Sequence, residues 1–369
     1  MSHADYTADD FHQNPLMFYY EVTLACDLVC KHCRASAQED AHPDELSHEQ
    51  AKALIDQVAS FPRRPMVVFT GGDPLKRADL FDLLRYAVGR GIQPALTPSA
   101  TPLATYEAFA KAREAGVPRL GISLDGADAA THDAFREFEG SFSRTLEMLD
   151  NARKLNMAVQ VNTTVTRRNV AQMDAIAGLL AGRGIAMWAV FFLVPVGRGV
   201  EEERIRPEEY EEVFARLWHH ARRQPYAVKT TEAPHYRRFV LQQGGDPLAG
   251  PAGEGHAHHA RRRGHRAPLG VGDGKGVMFV SHTGEIFPAG FLPLGCGRFP
   301  QDSVVDVYRN HPTFQALRDP DGFKGRCGYC EYRYVCGGSR ARAYALTGDP
   351  LATDPDCTYR PNRHAELVR

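Results

Sequence analysis

Long apolar runs are missing from the 369-residue chain, and so is an excess of either charge. No uninterrupted hydrophobic stretch approaches the roughly 20 residues of a transmembrane helix, so no membrane partner is expected. Lys and Arg number 44 against 45 Asp and Glu, a formal charge of −1, which gives no global basic field for nucleic acid. Met1 to Asp10 is polar and acidic and lacks the basic and apolar regions of a signal peptide; a cytoplasmic location is expected. No repeat of solenoid type occurs. The length suits one large α/β domain with a small appendage.

What the chain has instead is patterned cysteine. Eight Cys in a reducing compartment serve as metal ligands more readily than as disulfides. They fall into two groups, Cys26, Cys30 and Cys33, then Cys296, Cys327, Cys330, Cys336 and Cys357. The first trio lies within eight residues, just past the strand-like run 17–24, and can converge on one metal centre. Zinc sites draw Cys as C-x2-C pairs with a second pair or His downstream, and His32, between two of the Cys, is poorly placed to close a tetrahedron. Cubane clusters take four Cys, so a compact trio fits a [4Fe-4S] cluster with one open iron that a small molecule completes. On spacing alone, zinc and buried structural thiols stay open as alternatives.

Apolar runs and helical periodicity alternate along the chain. Strands are expected over 17–24, 65–70, 92–97, 119–124, 158–165 and 186–194, with helices after Ser47 and over 79–88, 104–115, 141–155 and 170–183. Ser47 reads as an N-cap three residues before Gln50. Six βα units predict an α/β fold with a parallel sheet, doubly wound or a barrel short of eight-fold closure. A helix over 207–223 covers the last strand. The Gly-, Pro- and His-rich stretch 244–265 reads as a linker or substrate lid, with metal or anion binding as the alternative. A hairpin is expected around His282-Thr-Gly. The boundaries expected are an N-terminal extension 1–15, a core 16–225, a connector 226–275 and a cysteine-rich unit 276–369.

In a parallel sheet the carboxyl edge faces ligands. Gly71, Gly72, Asp73 and Pro74 follow the second strand there, Ser123 and Asp125 the fourth, Asn162 and Thr164 lie on the fifth, and Val194 ends the sixth. Each has an ordinary reading as a turn or strand cap. Together with Cys26-x3-Cys30-x2-Cys33, however, Thr70-Gly-Gly-Asp-Pro74 resembles the radical S-adenosylmethionine (SAM) superfamily, with Asp73 in place of the usual Glu. The resemblance, from about Leu16 to Pro361, implies a partial (β/α)6 TIM-like barrel. It also implies a [4Fe-4S] cluster on Cys26, Cys30 and Cys33 whose open iron is chelated by SAM, and cofactor contacts from Gly71, Gly72, Asp73, Pro74, Ser123, Asp125, Asn162 and Val194.

The second group has the spacing C-x2-C-x5-C and then C-x20-C, which zinc also fits. Beside the first motif it resembles the SPASM or twitch extension, a small C-terminal iron–sulfur domain. That implies an auxiliary [4Fe-4S] cluster on Cys327, Cys330, Cys336 and Cys357, serving electron transfer or structure. Pro288-Ala289 and Ser339-Arg340 stand where a fuller set would have further Cys, so a single auxiliary cluster is expected and Cys296 is left as a buried thiol. Cys30-Lys-His-Cys33, Lys324 to Arg333 and Cys336 to Asp349 resemble the branch of alternative haem synthases and haem d1 enzymes. The implied chemistry is reductive cleavage of SAM to a 5′-deoxyadenosyl radical, hydrogen abstraction from a tetrapyrrole side chain, and an auxiliary cluster that accepts or relays the product electron. A flavodoxin or ferredoxin would be the electron donor. Arg340 and Arg342 are candidates to pair substrate carboxylates, or else to support the cluster. Peptide maturation is the alternative function within the superfamily, and a non-catalytic zinc or iron–sulfur protein the alternative outside it.

Overall fold

Period-two alternation along the strands gives the sheet two chemically different faces. The computed structural model describes residues 6–7, 9–200, 203–248, 270–362 and 365–368. In chain order the elements are β1 (Met17–Glu21), α1 (His48–Ala59), β2 (Met66–Thr70), α2 (Leu80–Gly89), β3 (Gln93–Leu96), α3 (Tyr106–Glu114), β4 (Arg119–Ser123), α4 (Ala129–Arg136), α5 (Ser141–Lys154), β5 (Ala158–Val165), α6 (Met173–Ala181), β6 (Met187–Phe192), α7 (Glu209–Ala221), β7 (Ala227–Thr231), α8 (His235–Gln242), β8 (Val277–Val280), β9 (Ile286–Phe287), α9 (Val304–Asn310), α10 (Pro312–Arg318), α11 (Gly325–Tyr329) and α12 (Arg340–Thr347). Among the described residues no helix is long and apolar enough to cross a membrane.

The helices start where side chains satisfy their free N–H groups. Ser47 and Gln50 form the expected reciprocal capping box, with Gln50 N donating to Ser47 Oγ at 3.3 Å and Ser47 N to Gln50 Oε1 at 2.9 Å. Thr105 caps α3 and Asp128 caps α4 by accepting from Ala108 N and Thr131 N, without the return bond. Phe18, Tyr20, Phe69, Leu120, Ile122, Val161, Trp188 and Val190 pack under these helices as one core with Leu54, Leu83, Phe109, Leu149, Ile176 and Phe214. The neighbours of those strand residues, among them Tyr19, Gly121, Ser123, Asn162 and Lys229, therefore point to the other face, the barrel lumen.

The strands form one sheet in the order β7-β6-β5-β4-β3-β2-β1-β8-β9, parallel except for the β8–β9 pair. The six expected strands are its centre, the partial barrel, and both edges extend further than the sequence indicated. The stretch expected to be only a connector supplies β7, which pairs Lys229 with Ala189 of β6. The hairpin assigned to the C-terminal unit instead docks β8 beside β1, with Tyr19 opposite Phe279. Backbone hydrogen bonding thus joins the core to the segment after 276, with Leu16 N donating to Gly276 O at 2.9 Å. The rest of the C-terminal segment is short helices and turns from α9 to α12. Of the stretch 244–265, residues 249–265 lie outside the described residues.

Candidate functional site

At the carboxyl edge, β1 runs into the loop that carries the first three Cys, and the loop after β2 packs on it. A Cβ at Gly72 would lie 2.3 Å from Ala25 O and 2.5 Å from Leu24 O; one at Gly71 would lie 2.4 Å from Thr23 O. Only glycine permits this approach, which brings Gly72 N to Thr23 O at 2.9 Å and Asp73 N to Ala25 O at 2.6 Å. The glycines thus serve first to seat the Cys loop. Asp73 is fully buried and accepts from Thr101 Oγ1 at 2.6 Å, Leu75 N at 3.1 Å and Ser99 N at 3.3 Å. Ser99 Oγ donates to Gly72 O at 2.8 Å and lies 3.7 Å from Cys26 Sγ.

Each thiol of the trio sits against a donor. Leu28 N donates to Cys26 Sγ at 3.4 Å, Ala37 N to Cys33 Sγ at 3.4 Å, and Arg136 Nη1 lies 3.7 Å from Cys30 Sγ. The other arm of Arg136 pairs with Asp125, whose carboxylate also accepts from Thr164 N at 2.6 Å. Arg198, in the loop after β6, clamps the Cys loop by its backbone: its N donates to Cys33 O at 2.9 Å, Nε to Cys30 O at 3.0 Å and Nη1 to Ala37 O at 2.7 Å. Gly197, at φ +63°, allows this, since a Cβ there would fall 2.4 Å from Cys33 O. Arg34 closes the ring with Glu21 at 2.6 Å, and Glu21 accepts from His282 at 2.7 Å. His32 packs against Phe135, ring centres 4.3 Å apart and tilted by 39°, and its buried Nδ1 has no partner among the described residues.

The expected cofactor residues are placed unevenly. Ser123 and Asn162 pair in register on the lumen face and are half-buried. Pro74 and Val194 are buried, Val194 packing with Ala289 and Leu292. Asp73 and Asp125 are buried with their carboxylates already engaged by protein donors. Sequence reasoning missed Ser99, Arg136, Arg198 and the Arg34–Glu21–His282 chain. Only Arg198, an arginine between two glycines in Gly197-Arg-Gly199, left a signal.

The second group also converges. Cys327, Cys330, Cys336 and Cys357 line one pocket together with Gly337 and Gly338. Gly338 N donates to Cys336 Sγ at 3.4 Å, Asp354 N to Cys327 Sγ at 3.4 Å and Arg340 Nη2 to Cys327 Sγ at 3.5 Å. Arg340 also binds Pro350 O and Ala352 O at 3.0 and 2.7 Å. Arg342, fully buried, holds Asp354 through two bonds of 2.9 and 2.8 Å and Asp356 at 3.1 Å. Both arginines therefore support the Cys cavity rather than face the lumen. Cys296 lies apart, buried in the main core.

The donor sets fit clusters. Burial pushes Cys26 and Cys357 up to about 11 and Cys330 up to about 12, and raises Cys30 and Cys336. Buried thiols of this kind become thiolates when a cation joins them, and N–H donors to sulfur are what tune iron–sulfur centres. Among the described residues no three His, Cys, Asp or Glu side chains converge on a single ion; a cubane, whose Cys each take a different iron, does not need them to.

Residues 20–180 match the family model described as the radical SAM superfamily. The chain is 39% identical over 349 residues to the AdoMet-dependent heme synthase of Methanosarcina barkeri, covering 95% of this chain and 98% of that one. It is 40% identical over 348 residues to that of Oleidesulfovibrio alaskensis, covering 93% and 87%. Among solved structures, Streptococcus suis SuiB bound to S-adenosylmethionine superposes with a TM-score of 0.69 at 14% identity, over 94% of this chain and 78% of that one.

Proposed function

The chain belongs to the radical SAM superfamily, and from that premise we propose that it modifies a propionate side chain of a tetrapyrrole, with oxidative decarboxylation as the reaction. The observation that carries the substrate class is the 39% identity extending over 98% of an AdoMet-dependent heme synthase. Cys26, Cys30 and Cys33 would hold a [4Fe-4S] cluster, which would supply the electron for reductive cleavage of SAM.

The chain's own residues hold the participants. Gly71 and Gly72 seat the Cys loop and present backbone groups at the mouth, with Pro74 fixing the turn that follows. Asp73 and Asp125 act as positioning residues: Asp73 through Ser99 and Thr101, Asp125 by keeping Arg136 on Cys30. Ser123 and Asn162 supply hydrogen-bonding groups to the ligand, and the segment at Val194 closes one side of its site. Cys327, Cys330, Cys336 and Cys357 hold a second [4Fe-4S] cluster. A flavodoxin or ferredoxin delivers electrons, in the cytoplasm, where thiols stay reduced. In the overall change the reacting arm gives up one hydrogen atom, CO2 and one electron, leaving a vinyl group.

The test is anaerobic incubation of the reconstituted enzyme with SAM, a reductant and iron-coproporphyrin. Loss of CO2 and two hydrogens per reacting arm, with deoxyadenosine in step, is expected. No mass change at full cluster loading sinks the substrate class. A short peptide that raises deoxyadenosine where porphyrin does not would favour peptide maturation.

A further inference from the structure

The barrel lumen is unevenly neutralised. Its acids are engaged: Glu21 by Arg34 and His282, Glu232 by Ser339 Oγ at 2.5 Å and by Asp273, and Asp273 by Ala341 N at 2.9 Å. Two of its cations are not. Lys229, third of five residues in β7, pairs in register with lumen-facing Ala189, while its neighbour Val228 packs on the helix-side core. Arg119 opens β4, whose next residue, Leu120, is in that same core. Both side chains are half-buried, and among the described residues neither has an ion pair or a hydrogen bond. The charges that act on Lys229 come from Arg119 and from Arg237 of α8, which lower it to about 8 together with burial, the largest cause. Arg237 itself is bound to Val335 O and Val271 O. Enclosed like charges without a counterion are unfavourable unless a ligand brings one.

We propose that Lys229 and Arg119 form a carboxylate-binding site in the lumen, which holds one carboxylate arm of a polyanionic tetrapyrrole while another arm reacts. The inference rests on the tetrapyrrole reading and deepens it. Arg119 lies four residues before Ser123 on β4, about 13 Å down the strand from the ligand-facing edge. A ligand bridging the two levels must carry acid groups on separate arms. A monocarboxylate would reach only one of them.

The test uses the anaerobically reconstituted holoprotein and measures binding of iron-coproporphyrin, a tetra-acid, and of its tetramethyl ester by absorbance titration. The wild type is expected to bind the acid at least about 10-fold more tightly than the ester. Lys229→Met and Arg119→Gln are each expected to weaken the acid by about 10- to 100-fold, the worth of a charge-assisted hydrogen bond, and to leave the ester unchanged. Lys229→Arg should restore most of the loss. Iron content and circular dichroism control for folding, and the acid–ester comparison on the wild type stands even if a variant fails to fold. Equal binding of acid and ester by the wild type, or acid binding unchanged in both folded variants, overturns the proposal. Binding of neither ligand by the wild type overturns the tetrapyrrole reading and this site with it.

Discussion

Replacing Arg136 with Met severs the link between the first cluster site and the barrel. Its guanidinium joins Cys30 Sγ, at 3.7 Å, to Asp125, which is 0% exposed. Removing one partner of a buried ion pair costs about 3–5 kcal/mol, because the other charge is left uncompensated. Part of that is relieved: burial already raises the Asp125 carboxyl, which eases its protonation once Arg136 is gone, and Thr164 N remains as a donor. Arg198 and the Gly72–Thr23 contacts still hold the Cys loop, so the fold should survive while the loop opens more often. The residual penalty corresponds to at least about 10-fold faster loss of iron to a chelator. Iron release is to be followed anaerobically in wild type, Arg136→Met, Asp125→Asn and the double variant. The double variant should release iron more slowly than Arg136→Met, since it leaves no unpaired charge. Release at the wild-type rate in Arg136→Met, or strictly additive effects, would refute the reasoning.

Three further outcomes follow from the geometry. Gly72→Ala drives a methyl to 2.3 Å from Ala25 O, a backbone atom that cannot rotate away; a loss of about 2 kcal/mol or more should appear as iron occupancy lowered at the first site alone. Arg342→Met leaves Asp354 buried without its cation, while Asp356 keeps Arg204; the cost is again about 3–5 kcal/mol, and iron should be lost from the second site before the first. Burial and then Asp273 push Glu232 up to about 8, above the ~4.3 of an unfolded chain. A raised folded-state value means stability complete below about pH 4 and lost as pH climbs toward 8. The melting temperature of the wild type should therefore fall more steeply than that of Glu232→Gln between about pH 6 and 8.5, and parallel curves would contradict this.

The central strands were legible because their helix-side faces are apolar and their lengths ordinary, as in Met66–Thr70 and Arg119–Ser123. β7 was not, because Ala227-Val-Lys-Thr-Thr231 turns Lys229 and Thr231 to the lumen and so has no apolar run. β8 read as a strand, but its partner β1 lies at the far end of the chain, and no local pattern encodes that pairing. Helix α4 buries only His132 and Phe135, too sparse a stripe to see. The grouping of the cysteines was legible because their spacing along the chain is local. Arg342 was legible as a support of the second group, but Arg136 and Arg198 were not read as the clamps they are, since they work through a carboxylate and backbone carbonyls that only the tertiary fold brings near.

Anaerobic iron and sulfide counting tests the central claim most directly. Two cubane sites predict about eight irons and eight sulfides per wild-type chain. About four should remain when Cys26, Cys30 and Cys33 are replaced together, and about four when Cys327, Cys330, Cys336 and Cys357 are replaced instead. Zinc in place of iron, or both sets of irons disappearing with either group of cysteines, would contradict the assignment.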